Sequence, residues 1–155
     1  MKIIKTKFKG LLIIKQKTNK DNRGSLRETF RKKKLLKNFV FDYFTTSKKK
    51  VIRGFHFQSK NIQAKFVNVL KGEILDCVID LRKNSKTFGK VFKIVLSSKN
   101  CIGLFIPRGF AHAYLSIDKE NIIYYKLDNY YNPKFENEKY ASTAYMEGYF
   151  ESEKY

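Results

Sequence analysis

Cysteine and histidine occur only twice each in these 155 residues, and acidic side chains number 14 against 33 basic ones. Cys77 lies inside an apolar run and Cys101 begins another, with no Cys-x-x-Cys pair, so buried reduced thiols are expected and a disulfide framework is not. His56 and His112 alone do not make the metal centre that wants about three histidines and a carboxylate, and no metal is expected. Long hydrophobic runs are missing too. Ahead of Lys17 the apolar patch at residues 11–14 is too short for a secretory signal or a membrane span, which points to a cytoplasmic chain with no membrane partner. Zinc-finger spacing, RNP-type aromatic motifs and helix-turn-helix patterns are also absent, leaving no motif for nucleic acid.

The shortage of acids gives a formal charge of +19. The excess is nearly all lysine, in short runs such as 31–34 and 48–50, in a chain also rich in Asn, Ile, Phe and Tyr, the set that AT-rich codons encode. Two readings stand: composition bias with a solvated basic surface, or a field that draws in an anionic ligand. A basic nucleic-acid-binding β domain rests on charge alone.

A chain of this length can bury roughly two-thirds of its unfolded surface in one core. No repeat, linker or composition shift marks a boundary, so one domain over 1–155 is expected. Short runs rich in Val, Ile, Phe and Tyr, at 11–15, 26–30, 40–44, 66–70, 74–81, 91–96, 102–106, 113–117 and 122–127, read as strands. Turn chemistry such as Asp21-Asn22-Arg23-Gly24, Lys71-Gly72 and Pro107-Arg108-Gly109 separates them. Many short strands at this spacing predict an all-β sandwich or barrel. The one helical candidate is the basic segment 31–39, and the tail 136–155 is polar and aromatic without period, suited to wrap the body or pack on a partner chain.

The most informative segment is Val51-Ile52-Arg53-Gly54-Phe55-His56-Phe57-Gln58, with Lys65 downstream. A neutral imidazole between a guanidinium and an ammonium is the layout for taking a proton next to a carbonyl, the cations holding the anion that forms. The plain alternative is an inert, hydrogen-bonded histidine at a strand end. With period two, Arg53, Phe55 and Phe57 share one face while His56 shares the other with Gly54 and Gln58. Arg53 and His56 therefore converge only if the strand bends, and Gly54 is the residue that permits a bulge. Along Ile122-Ile123-Tyr124-Tyr125-Lys126-Leu127 the same alternation opposes Tyr124 to Tyr125, so that one of them can face a cavity. A buried phenol there suits an acid that protonates an enolate carbon.

These motifs, together with Arg23-Gly24, Glu28 and Phe30, Gly72-Glu73 through Asp80-Leu81-Arg82, Thr87-Phe88-Gly89, Ile106-Pro107-Arg108-Gly109-Phe110-Ala111-His112, and Tyr130-Tyr131-Asn132-Pro133 with Glu136, resemble the dTDP-4-dehydrorhamnose 3,5-epimerase family. The resemblance implies a homodimeric cupin jelly roll that needs no metal and no cofactor. It implies His56 as base, Tyr125 as acid, and Arg53 and Lys65 beside the sugar carbonyl. Arg23, Glu28, His112 and Glu136 would line the nucleotide-sugar site, Tyr131 would stack on the base, and Lys154 would bind substrate. The implied substrate is a nucleotide-linked 4-keto-6-deoxy sugar, by default on dTDP, in a route to surface polysaccharide.

The chain departs from the family in places. Relatives carry an aspartate near the C-terminus that orients the histidine, where this chain has Tyr155 as its last residue. Asp80, or the terminal carboxylate of Tyr155, is the expected substitute. Asp42-Tyr43-Phe44-Thr45-Thr46-Ser47 replaces a segment that often contacts dTDP, so a GDP-linked sugar is a second candidate, and Ala113 follows His112 where a glycine is usual. A ketoisomerase that moves the keto group between C3 and C4 is disfavoured, because Phe57-Gln58 follows His56 where that pattern resembles Ala-His. A non-catalytic cupin that binds a nucleotide sugar is the alternative from another class.

Overall fold

The computed structural model describes residues 1–35 and 37–137. Among them, in chain order, are β1 (Lys2–Lys5), β2 (Leu12–Lys15), β3 (Thr18–Asp21), β4 (Gly24–Arg27), helix α1 (Lys32–Leu35), β5 (Phe41–Lys48), β6 (Ile52–Gln58), β7 (Lys65–Lys71), β8 (Glu73–Asp80), β9 (Val91–Ser97), β10 (Ile102–Ile106), β11 (Phe110–Ser116), β12 (Glu120–Leu127) and β13 (Glu136–Asn137). They form a six-stranded sheet in the order β1-β2-β10-β7-β12-β5 and a five-stranded sheet in the order β13-β6-β11-β8-β9, with β3 and β4 as a separate hairpin. Neighbouring strands pair antiparallel, and the two large sheets face each other as a jelly roll.

Side-chain alternation explains the layering. Along β12, Asn121, Ile123, Tyr125 and Leu127 are buried while Ile122, Tyr124 and Lys126 are less so, the period-two signature of a strand with one face inward. β8 is buried on both faces. Ile74 and Val78 join the core between the sheets with Phe8, Val69, Leu104 and Tyr125, while Leu75, Cys77 and Ile79 pack with Phe55 and Ala111 on the other face. A third cluster, built on Ile14, Phe66 and Phe105, is covered by Leu35, Phe30 and Phe39.

That cover corrects the helical expectation for 31–39, of which α1 retains Lys32–Leu35. The rings of Phe30 and Phe39 both reach Phe66. Nine residues along a helix put two side chains on opposite sides of it, so the segment must unwind for both to face the sheet. β1 and β3, which are polar or lysine-flanked, were not legible as strands. They gain their hydrogen bonds from β2 and β4 respectively. The turn expected at Asp21-Asn22-Arg23-Gly24 is present and closes a hairpin, with Asp21 paired to Gly24, but β4 ends at Arg27 and not at Phe30. The tail's first residues form β13, which pairs with β6 through Glu136 opposite Gln58.

The bend at Gly54 decides where the chemistry sits. On β6 and β11, His56 pairs with His112 and Arg53 with Tyr114, so Gly54 and Phe55 together oppose Ala113 alone. One extra residue in β6 is a bulge, and it puts Arg53 and His56 on the same face as His112 and Tyr114. Only glycine fits, because its φ is +116° and a Cβ there would lie 2.4 Å from the His112 carbonyl oxygen. The same step turns Phe55 wholly into the core, burial that contributes roughly 2–3 kcal/mol.

Candidate active site

A cavity of about 350 Å³ opens between the sheets. The five-stranded sheet supplies Arg53, His56, Gln58 and Glu136 to its wall, together with His112 and Tyr114 from β11; the six-stranded sheet supplies Tyr43, Thr45, Lys65 and Tyr125. His56 and Tyr125 thus approach the same space from facing sheets. Tyr131, in the loop after β12, adds a ring that is 52% exposed at the rim.

His56 is half-buried, and burial lowers its tendency to carry a proton. The carboxylate of Glu136 opposes that effect; its Oε1 lies 2.9 Å from Nδ1, off the line of a ring N–H, so the pair interacts mainly through charge. Lys65 adds positive charge nearby and favours the neutral ring, and a protonated His112 would act in the same direction. The net direction is downward, which leaves His56 a free base near neutral pH. Tyr125, 4% exposed, is pushed well above the ordinary phenol range, first by burial and then by Tyr114, Tyr43 and Asp76. It holds its proton until a strong base arrives. Its ring stacks on Tyr43, centroids 4.9 Å apart, and Tyr43 itself is raised to about 12, mainly by burial.

Lys65 opens β7 and faces Glu136 and Asp76, whose charges resist the lowering that burial imposes on its ammonium. Arg53 is tied at its base: Nε donates to Ser47 Oγ at 3.1 Å, and Ser47 in turn meets the Tyr114 hydroxyl at 2.9 Å. Gln58 fixes the lip. Its Nε2 donates to the Asn132 carbonyl at 2.7 Å, beside a short 3₁₀ turn (Pro133–Phe135) that Asn132 caps, and this carries Tyr131 and Glu136 into place. Behind the wall, His112 Nε2 lies 2.8 Å from Asp76 Oδ2, both side chains buried.

Seven of the residues that the sequence singles out therefore meet in one cavity: His56, Tyr125, Arg53, Lys65, His112, Tyr131 and Glu136. Arg23 and Glu28 do not. Arg23 pairs with Asp21 at 2.7 Å at the tip of the β3–β4 hairpin, and Glu28 pairs with Arg31 outside the cavity. Asp80 is a correction. Its oxygens are taken by Arg82, Ser85 and Thr87 in the turn after β8, at 2.6–3.0 Å. Burial pushes its pKa up, but these donors outweigh it and hold the carboxyl well below the usual range, so Asp80 is a turn anchor and not a partner of His56. Lys154 and Tyr155 lie outside the described residues.

Two residues escaped the sequence reading. Gln58 stood in the motif without a role. Asp76 stood in Ile74-Leu75-Asp76-Cys77-Val78-Ile79, where a lone carboxylate inside an apolar strand was the available signal. In the segment Asp42–Ser47, Tyr43 and Thr45 face the cavity, whereas Asp42 faces outward to Tyr124 and Lys126. Of the two adjacent tyrosines, Tyr125 is the inward one. Among the described residues no three His, Cys, Asp or Glu side chains converge as metal ligands would.

Residues 5–144 match the family described as dTDP-4-dehydrorhamnose 3,5-epimerase. An enzyme of that name from Methanothermobacter thermautotrophicus is 40% identical over 141 residues, 88% of this chain and 76% of its own length. Its counterpart from Salmonella typhimurium is 38% identical over 143 residues, 88% and 78% respectively. Among solved structures, a 3,5-epimerase from Legionella pneumophila in complex with dTDP-4-keto-L-rhamnose is similar with a TM-score of 0.84 at 38% identity, covering 88% of this chain and 76% of that one. The epimerase from Elizabethkingia anophelis gives 0.82 at 38%, covering 89% and 79%. A jelly roll that brings His56 and Tyr125 to one cavity from facing sheets, in a chain matched over most of its length by these enzymes, belongs to the dTDP-4-dehydrorhamnose 3,5-epimerase family.

Proposed function

We propose that this chain inverts C3, C5 or both of a dTDP-linked 4-keto-6-deoxy sugar, in a route to surface polysaccharide. The observation that carries the reading is the opposition of His56 and Tyr125 across one cavity. A 4-keto group acidifies the hydrogens on its neighbouring carbons. Neutral His56 takes one of them from one face, the electron pair moves to the carbonyl oxygen, and Lys65 and Arg53 hold the enolate. Tyr125 then gives its proton to the opposite face of the same carbon. The step leaves an imidazolium and a phenolate, which exchange protons with solvent before the next turnover. Glu136, beside Nδ1, favours the imidazolium as it forms, the task that a C-terminal aspartate is expected to perform in relatives.

The half-exposed Tyr131 ring suits stacking on a nucleotide base, and the +19 charge suits a diphosphate. A homodimer is part of the proposal. Leu26, Phe44 and Leu70 are exposed apolar residues that a second copy would cover, and Arg23 and Glu28 are then available to that copy. The cytoplasm is the proposed location, in keeping with two free thiols. Incubation in D2O with dTDP-4-keto-6-deoxyglucose, followed by NMR, tests the reaction. Deuterium entering C3 and C5 identifies a 3,5-epimerase, and entry at one carbon a single-site epimerase; Tyr125→Phe should exchange without inverting and His56→Ala should do neither. Binding without exchange would favour the non-catalytic reading or a GDP-linked sugar.

A further inference from the structure

The central strand β8 carries a carboxylate that neither its packing nor the proposed proton transfers account for. Asp76 is 0% exposed, between apolar neighbours on a strand flanked on both sides by β11 and β9. Burying a carboxylate costs several kcal/mol unless its oxygens are matched. Here Oδ2 is matched by His112 Nε2 at 2.8 Å, while Oδ1 has no hydrogen-bond partner among the described residues. An apolar residue opposite Tyr114 would pack at lower cost. The expense falls beside the cavity, since His112, Tyr114 and Tyr125 all line it.

We propose that Asp76 is a positioning residue of the active site: it fixes the ring nitrogen that His112 offers to the sugar and supplies the buried counter-charge behind the cavity. A carboxylate accepting from Nε2 requires the proton on that nitrogen, so neutral His112 presents the lone pair of Nδ1, an acceptor for a sugar hydroxyl. The charge reaches further. Burial drives Lys65 toward its neutral form; Glu136 and Asp76 oppose that, and the Lys65 charge in turn favours the neutral form of His56. Tyr125 is raised by burial, Tyr114, Tyr43 and Asp76, with the Thr45 hydroxyl acting in the other direction. Removing the Asp76 charge lets Lys65 and Tyr125 lose their protons at lower pH. Both are needed protonated, one to hold the enolate and one to quench it, so the two effects move the alkaline limb of activity the same way.

The inference rests on the epimerase reading for its kinetic arm only. Long-range ¹H–¹⁵N correlation on the substrate-free protein should find the His112 proton on Nε2, and Asp76→Asn should redistribute it. In kinetics, Asp76→Asn should lower kcat by about 10- to 100-fold with KM within about threefold, and should move the alkaline limb down while leaving the acid limb set by His56 in place. A variant that keeps the wild-type tautomer and alkaline limb overturns the proposal. If the variant does not fold, the wild-type spectrum still decides, because a neutral His112 protonated on Nδ1 is incompatible with it. Failure of the wild type to exchange any sugar hydrogen would refute the epimerase reading and leave the spectroscopic test standing.

Discussion

Glu136→Gln removes the charge beside His56 while keeping the shape of the side chain. At 2.9 Å, in a site where the imidazole is 41% exposed, an effective dielectric of about 40–80 gives an interaction of about 1.5–3 kcal/mol. Solvent screening and the off-line geometry reduce it to about 1–2 kcal/mol, or about one pH unit on the His56 titration. The sign follows from the charge: Glu136 favours the imidazolium, so its loss lowers the His56 pKa below a value that burial already depresses. The acid limb of the pH profile should move down by about one unit. Glu136 also supports the Lys65 ammonium, so the alkaline limb should fall too, unlike the one-sided shift expected of Asp76→Asn. A weaker and less well oriented base should lower kcat by about 10- to 100-fold. Titration of His56 by ¹⁵N NMR, paired with solvent-exchange kinetics across pH, reads both effects. A His56 pKa that stays within about 0.3 units of wild type would show that Glu136 does not couple to the base.

Other perturbations separate chemistry from architecture. On the proposed mechanism Lys65→Ala removes a donor to the enolate oxygen and should slow turnover by about 100- to 1000-fold with the fold intact by circular dichroism; near-normal turnover would refute the role. Gly54→Ala forces a Cβ to within 2.4 Å of a backbone oxygen at a φ of +116°, and should cost roughly 3 kcal/mol or more in urea unfolding. Asp80→Asn should lower stability by about 2–3 kcal/mol and leave the pH limits of activity in place, since Asp80 anchors the turn through Arg82, Ser85 and Thr87. Because the folded pKa of Asp80 is depressed, its contribution is present above the unfolded carboxylate value and is lost as pH falls through the folded one, so thermal unfolding of wild type and variant should converge only in strong acid.

Much of the site was legible because local rules control it. Alternation in Ile122–Leu127 left a choice between two tyrosines, and burial of the Tyr125 face resolved it. The need for a bend between Arg53 and His56, and its location at Gly54, followed from period two plus the one residue without a Cβ. The misses share a cause. Asp80 looked available because nothing in the sequence shows that Arg82, Ser85 and Thr87 curl back onto it. Asp76 drew no reading until β11 brought His112 alongside, and the β3–β4 hairpin, whose packing the sequence does not show, holds Arg23 and Glu28 away from their own chain's cavity.

The sequence alone determined the all-β class, the one residue at which β6 is able to bulge, and the residue types capable of proton abstraction and enolate stabilisation, since these depend on neighbours a few positions apart. Tertiary structure alone decided that His56 and Tyr125 come from facing sheets, that Glu136 rather than Asp80 stands beside His56, and that Asp76 lies buried behind His112. Those relations are set by sheet pairing and register between segments tens of residues apart, and an electrostatic effect that decays over a few ångströms is written in space and not in sequence order.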